Sequence, residues 1–131
     1  MKDALRVIII DDDEDVGLVL RVVLRLDGFD VWRTKSSEEC MAKLNELEGK
    51  VNVVLINGNI AIDRNASVIL KIKRLNTNIK ILVIADRNHS EHKIRIMDYG
   101  ADEFVLKPIS TDTVANKVTM LLAESLEPMR R

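Results

Sequence analysis

The chain has 131 residues, 47% hydrophobic and 31% charged, the size and make-up of one folded domain, which excludes disorder and a coiled coil. Its 20 basic and 21 acidic residues leave a net charge of −1, so nothing global attracts nucleic acid or an anionic membrane. A single cysteine, Cys40, excludes an intrachain disulfide and fits a reducing cytoplasm; its helical spacing from Leu44 and Leu47 makes it a small core residue rather than a nucleophile. No apolar run reaches the length of a membrane span, and Met1-Lys2-Asp3 leads straight into a strand, which reads as no signal peptide.

In chain order, Val7–Ile10 is a β-branched run stopped by Asp11-Asp12-Asp13-Glu14-Asp15, the pattern of a strand buried on both faces. Val16, Val19, Leu20, Val23 and Leu24 then fall on one helical face, with acids suited to the helix N-terminus and Gly28 to its end. Phe29–Thr34 is a second strand. Ser36 with Glu39 forms a capping-box pattern opening a helix that runs to Gly49. Val51–Ile56 is a third strand, followed by the loop signal Asn57-Gly58-Asn59. Val68, Ile69, Ile72 and Leu75 mark a third helix, with Lys71, Lys73 and Arg74 on its wet side. Ile79–Ala85 is a fourth strand and Ser90–Tyr99 a fourth helix. Phe104–Leu106 is a fifth strand closed by Lys107-Pro108, and Val114, Val118, Leu121 and Leu122 mark the last helix. The tail Glu127–Arg131 reads as a frayed end. Five strands alternating with five helices predict a single α/β domain over residues 1–131, with parallel strands and right-handed crossovers.

Ligands of open α/β sheets bind outside the carboxyl ends of the strands. Three such ends are polar here: Asp11-Asp12, Asn57-Gly58-Asn59 and Lys107-Pro108. Adjacent carboxylates repel unless a cation lies between them, so the pair calls for a hard cation such as Mg²⁺ or for the Lys107 ammonium. A plain helix cap is the competing reading. Of these, pairing with Lys107 is the expected arrangement.

The three strand ends, Val7-Ile8-Ile9-Ile10-Asp11-Asp12-Asp13, Val53-Val54-Leu55-Ile56-Asn57-Gly58-Asn59-Ile60 and Gly100-Ala101-Asp102-Glu103-Phe104-Val105-Leu106-Lys107-Pro108, resemble the receiver domain of two-component response regulators. The resemblance covers essentially the whole chain. It implies a flavodoxin-like, doubly wound (βα)5 fold with a five-stranded parallel sheet in the order 2-1-3-4-5. In that family a strand 3 Asp accepts a phosphoryl group, an acidic pair holds Mg²⁺, and a Lys and a Ser or Thr contact the phosphoryl oxygens. A strand 5 aromatic then changes the surface made by helix 4, strand 5 and helix 5.

Carried over, the resemblance makes Asp11 and Asp12 the acidic pocket and Lys107 the pocket lysine, with Asn59 lending a backbone carbonyl to a metal. Phe104 matches the aromatic switch position. The phosphoacceptor position holds Asn57 and the Ser/Thr position holds Ile84, so the chain resembles a degenerate receiver, or pseudo-receiver. An amide has no anionic oxygen with which to attack phosphorus, and Ile84 would face a phosphoryl group without pairing it. The expected function is therefore a non-enzymatic signalling module with no catalytic residue, working by protein–protein contact with no cofactor or only weak Mg²⁺.

The implied partners are a sensor kinase, an output protein or another receiver. A homodimer would use helix 4, strand 5 and helix 5, where Lys93, Met97, Lys117 and Met120 form the candidate surface. No nucleic acid or membrane is expected to bind this chain; a DNA-binding role would need residues outside it. The alternative is a conventional Mg²⁺-dependent phosphoacceptor receiver whose natural residue 57 is Asp, by laboratory change or by deamidation at Asn57-Gly58, though sheet geometry is expected to block that deamidation. His89 and His92 read as solvated surface, and Trp32 as packed on a helix or, less simply, as a partner surface.

Overall fold

A computed structural model describes residues 4–12 and 14–126. Its elements are β1 (Arg6–Ile10), α1 (Glu14–Leu26), β2 (Asp30–Thr34), α2 (Ser37–Glu46), β3 (Val53–Asn57), α3 (Gly58–Ile62), α4 (Ser67–Leu75), β4 (Lys80–Ala85), α5 (Lys93–Asp98), β5 (Glu103–Leu106) and α6 (Thr111–Leu126), with 3-10 turns at Asp63–Ala66 and Arg87–His92. Asp13, Met1–Asp3 and Glu127–Arg131 lie outside the described residues, as does the side chain of Val16.

The strands form one parallel sheet in the order β2-β1-β3-β4-β5. Alternate residues of each strand point to opposite faces, so each β-branched run supplies two cores. Ile8, Val54, Ile81 and Phe104 pack with Leu44 of α2 and Ile69 and Ile72 of α4. Val7, Ile9, Leu55 and Ile84 pack with Leu20 and Leu24 of α1 and Val118 of α6. Each fully buried Leu or Ile contributes about 1.5–3 kcal/mol of transfer free energy. Because β1 lies between β2 and β3, the connections leaving β1 and β3 run to opposite faces and leave a crevice at their carboxyl ends.

Several local expectations are corrected. The Asn57-Gly58-Asn59 loop is the last strand residue followed by a helical turn, which adds a sixth helix to the five expected. The fourth helix begins only at Lys93, after a 3-10 turn. On α1, Val19 is half exposed, and Leu18, Val22 and Leu26 face outward, because the helix has more apolar residues than one buried stripe can take. Leu75 is also exposed. Lys73 leaves the wet side of α4: its Nζ lies 2.9 Å from Asp102 Oδ2 and donates to the Ile79 carbonyl at 2.7 Å. At α2, Ser36 Oγ accepts the Glu39 N–H at 3.1 Å, but the Glu39 carboxylate takes the N–H of Lys35 rather than that of Ser36.

Candidate functional site

The site is built at the crevice between β1 and β3. The Asp11 N–H donates to the Thr34 carbonyl at 3.0 Å, and Thr34 Oγ1 donates to the Ile9 carbonyl at 3.0 Å, so the end of β2 fixes the backbone that carries the first carboxylate. Asp11 is 5% exposed, Asn57 8% exposed, and Asp12 lies in the open.

Asn57 donates from Nδ2 to Asp11 Oδ1 at 2.9 Å and, more weakly, to Asp12 Oδ1 at 3.4 Å. Its Oδ1 accepts the Asn59 N–H at 2.9 Å, capping α3. Flipping the amide would set an oxygen against two carboxylates and an NH2 against an N–H, so the network permits one orientation. The amide thus supplies the positive pole that the acidic pair requires.

Lys107 does not form the expected pair with Asp11 and Asp12. Its backbone is held by an N–H donated to the Ala85 carbonyl at 2.7 Å, and its ammonium lies 3.9 Å from Asp86 Oδ1. Asp11, Asn57, Ile84 and Lys107 nonetheless line one small cleft, with about 10 Å³ of room. That is about the room one water molecule needs.

Mg²⁺ demands near-ideal octahedral oxygen ligation. Among the described residues, Asn57 is the side chain that meets both Asp11 and Asp12, and it points N–H groups at them. No group of three or more His, Cys, Asp or Glu side chains converges on a metal position among the described residues. The residues present fit the ion poorly.

Ile84 stands in register with Asn57 and is 6% exposed. It belongs to the apolar cluster beneath α1 and α6, whereas Phe104 is buried on the other face of the sheet with Ala85 and Ile96. The two switch positions therefore belong to separate cores. Of the candidate partner surface, Lys93 and Met120 are exposed, Met97 packs against the core, and Lys117 Nζ lies 3.5 Å from Glu103 Oε2.

His89 is not solvated surface but buried, with Nδ1 lacking a hydrogen-bond partner among the described residues. It presses on Gly58, where an added Cβ would come within 2.8 Å of that nitrogen and 2.9 Å of Ala85 Cα. The bare Gly58 was the sequence signal for this close approach. His92 is partly exposed, 3.7 Å from Glu91. A second missed residue is Arg33, whose Nε lies 2.6 Å from where a Cβ of Gly17 would stand, a position that is also 3.5 Å from Asp11 Cβ. Trp32 packs against the core under the Arg6 guanidinium, 5.8 Å from the ring centroid. Cys40 is fully buried, and burial pushes its thiol up to about 12.

A parallel 2-1-3-4-5 sheet, with an acidic pair after β1, a polar end to β3 and a lysine after β5, defines a receiver-type α/β domain. The family model of the response regulator receiver domain matches residues 7–119, and the chain belongs to that family. The transcriptional regulatory protein PrrA of Mycobacterium leprae is 26% identical over 117 residues, which are 89% of this chain and 49% of the relative. A cyclic di-GMP phosphodiesterase of Thermotoga maritima is 26% identical over 95% of this chain and 33% of its own length. The chain thus spans half or less of the length of these curated relatives. Among solved structures, a CheY-like receiver domain protein of Methanospirillum hungatei superposes with a TM-score of 0.85 at 20% identity, covering 96% of this chain and 99% of that one. An orphan response regulator of H. pylori gives a TM-score of 0.77 at 25% identity, covering 93% and 99%. Receiver domains are typically non-enzymatic signalling modules of two-component systems, and generally bind Mg²⁺ at the phosphorylation site.

Proposed function

We propose that this chain is a pseudo-receiver: a signalling module that works through protein–protein contacts and is not controlled by phosphorylation at position 57. The observation that carries the reading is the Asn57 amide, which occupies the acidic pair at 2.9 and 3.4 Å with N–H groups. An attacking group must present an anionic oxygen. This one presents nitrogen to the acids and has its oxygen committed to the Asn59 N–H. Ile84 supports the same reading, since an apolar wall beside a dianionic phosphoryl group leaves it unpaired. Mg²⁺ binds weakly or not at all.

The partner is a sensor kinase, an output protein or a second receiver. The α5, β5 and α6 face is the candidate homodimer surface, with Lys93 and Met120 outward; the chain itself binds neither nucleic acid nor membrane. Its place of action is the cytoplasm. No helix among the described residues is long and apolar enough to cross a membrane.

Asp11, Asp12 and Lys107 favour a second reading, a conventional phosphoacceptor receiver whose natural residue 57 is Asp. Incubation with acetyl phosphate and Mg²⁺, followed by intact mass measurement, separates the two. The pseudo-receiver gains no phosphate, and saturable incorporation refutes it. Asn57→Asp, alone and with Ile84→Thr, then shows which position limits the chemistry, and the double variant is expected to incorporate more.

A further inference from the structure

The small cleft beneath Asn57 continues outward into a larger opening between α1 and the start of α6. The two share Leu20, Ile84 and Lys107. The outer part has a volume of about 310 Å³, at the lower end of the range for small-molecule sites. Its walls are apolar: Leu20, Ile84, Ile109 and Val114. Ile84 is one of the three side chains common to both parts, and it lays apolar wall where a Ser or Thr would set a hydroxyl.

The polar residues that line the outer opening are Lys107 and Thr111. Lys107 is partly exposed, and its ammonium has Asp86, 52% exposed and 3.9 Å away, as its carboxylate neighbour among the described residues. At that distance no hydrogen bond forms, so among the described residues the donors of the ammonium are unspent. Thr111, also on the wall, opens the long helix α6, whose N-terminal end favours negative charge. Against this stand Asp112 in the first turn of α6 and the carboxylates of Asp11 and Asp12, the latter two already engaged by the Asn57 amide. Lys107 is the one ionic group among the described lining residues, so the opening suits a single negative charge on an apolar body rather than a dianion.

We propose that this opening is a binding site for a small organic monoanion, an aryl or alkyl carboxylate or sulfonate. Its apolar body packs on Leu20, Ile84, Ile109 and Val114 while its charged group meets Lys107. Binding there bridges α1 and α6 across the degenerate phosphoryl site and gives the domain a chemical input that needs no phosphoryl transfer.

The test is a titration of the whole chain with anilinonaphthalene sulfonate, an apolar body carrying one sulfonate, without Mg²⁺ or phosphodonor. It is read by fluorescence and by NMR shifts of the Ile84, Ile109 and Val114 methyl groups. One saturable site with shifts confined to those methyls is expected. Thr111→Trp, on the partly exposed rim, abolishes binding. Lys107→Met weakens the sulfonate about tenfold, yet leaves the uncharged parent phenylnaphthylamine bound as before. Non-saturating binding, shifts centred elsewhere, or a Lys107→Met variant that weakens both probes alike or neither overturns the proposal. Position 57 takes no part in the titration, so its result stands apart from the acetyl phosphate experiment.

Discussion

Asn57 turns a repulsive pair of carboxylates into a hydrogen-bonded cluster. Replacing its amide with a third carboxylate, Asn57→Asp, removes two donors and adds like charge beside Asp11, which is 5% exposed. Without divalent cations at neutral pH this variant is expected to lose about 1–3 kcal/mol. Urea melts with and without Mg²⁺ check this, since a third carboxylate also completes a better ligand set and Mg²⁺ should restore the loss. Unchanged stability would mean that the amide contributes nothing. The same two-ended grip holds the Asn57 amide against the rotation that ring closure with the Gly58 nitrogen requires. Peptide mass analysis of aged protein is therefore expected to show no deamidation at this position. Next to it, Gly58→Ala puts a methyl 2.7 Å from Ala85 Cβ and 2.9 Å from Ala85 Cα. Backbone cannot give way as a flexible side chain can, so a loss of about 1–3 kcal/mol is expected in the melting curve. Cys40 supplies a pH prediction. Its thiol ionises near 9.0 when the chain is open and near 12 when folded. The folded state therefore keeps a proton that the unfolded state loses, and the stabilisation is intact below pH 9 and falls as pH rises from there to about 12. At pH 8 the native thiol should resist alkylating reagents and react only on denaturation, as a thiol titration would show.

Among the elements, the strands were the most legible part of the fold. A β-branched run with both faces buried needs no knowledge of its neighbours, and Val7–Ile10 appears as read within β1. Helix faces were less legible. The periodicity on α1 admits more than one apolar stripe, and only the packing of α6 and the sheet decides that Leu20 and Leu24 go inward while Val19 stays half exposed. Charged residues were the least legible, because a long side chain chooses among partners far away in sequence. Lys73 left the solvent for Asp102, whose Oδ2 also accepts the Ile81 N–H at 2.9 Å. This carboxylate ties α4 and the start of β4 to the segment before β5. Asp102→Ala strands that N–H and leaves the Lys73 ammonium with the Ile79 carbonyl but no carboxylate, for an expected loss of about 1–3 kcal/mol in a urea melt. Lys73→Met leaves the Ile81 bond in place and should cost less.

At the scale of the molecule, the site gathers residues from four strand ends, with Asn57 meeting Asp11 across 46 positions of sequence. The alternation of strands and helices, with the resemblance at those ends, was enough to anticipate the sheet order β2-β1-β3-β4-β5 and to place the acidic pair, Asn57 and Lys107 at one edge. It could not orient them. Whether Lys107 or Asn57 answers the carboxylates depends on where β4 and β5 end relative to β1, a matter of three-dimensional register. The buried His89 ring beneath Gly58 and Arg33 beside Gly17 were hidden for the same reason: a glycine in sequence does not say which side chain it makes room for. Beryllofluoride with Mg²⁺, which mimics a bound phosphoryl group, tests the central claim most directly. Titrated into the chain and followed by amide NMR, it is predicted to leave the resonances of Asp11, Asn57, Ile84, Phe104 and Lys107 in place. A saturable shift of those residues would contradict the pseudo-receiver account.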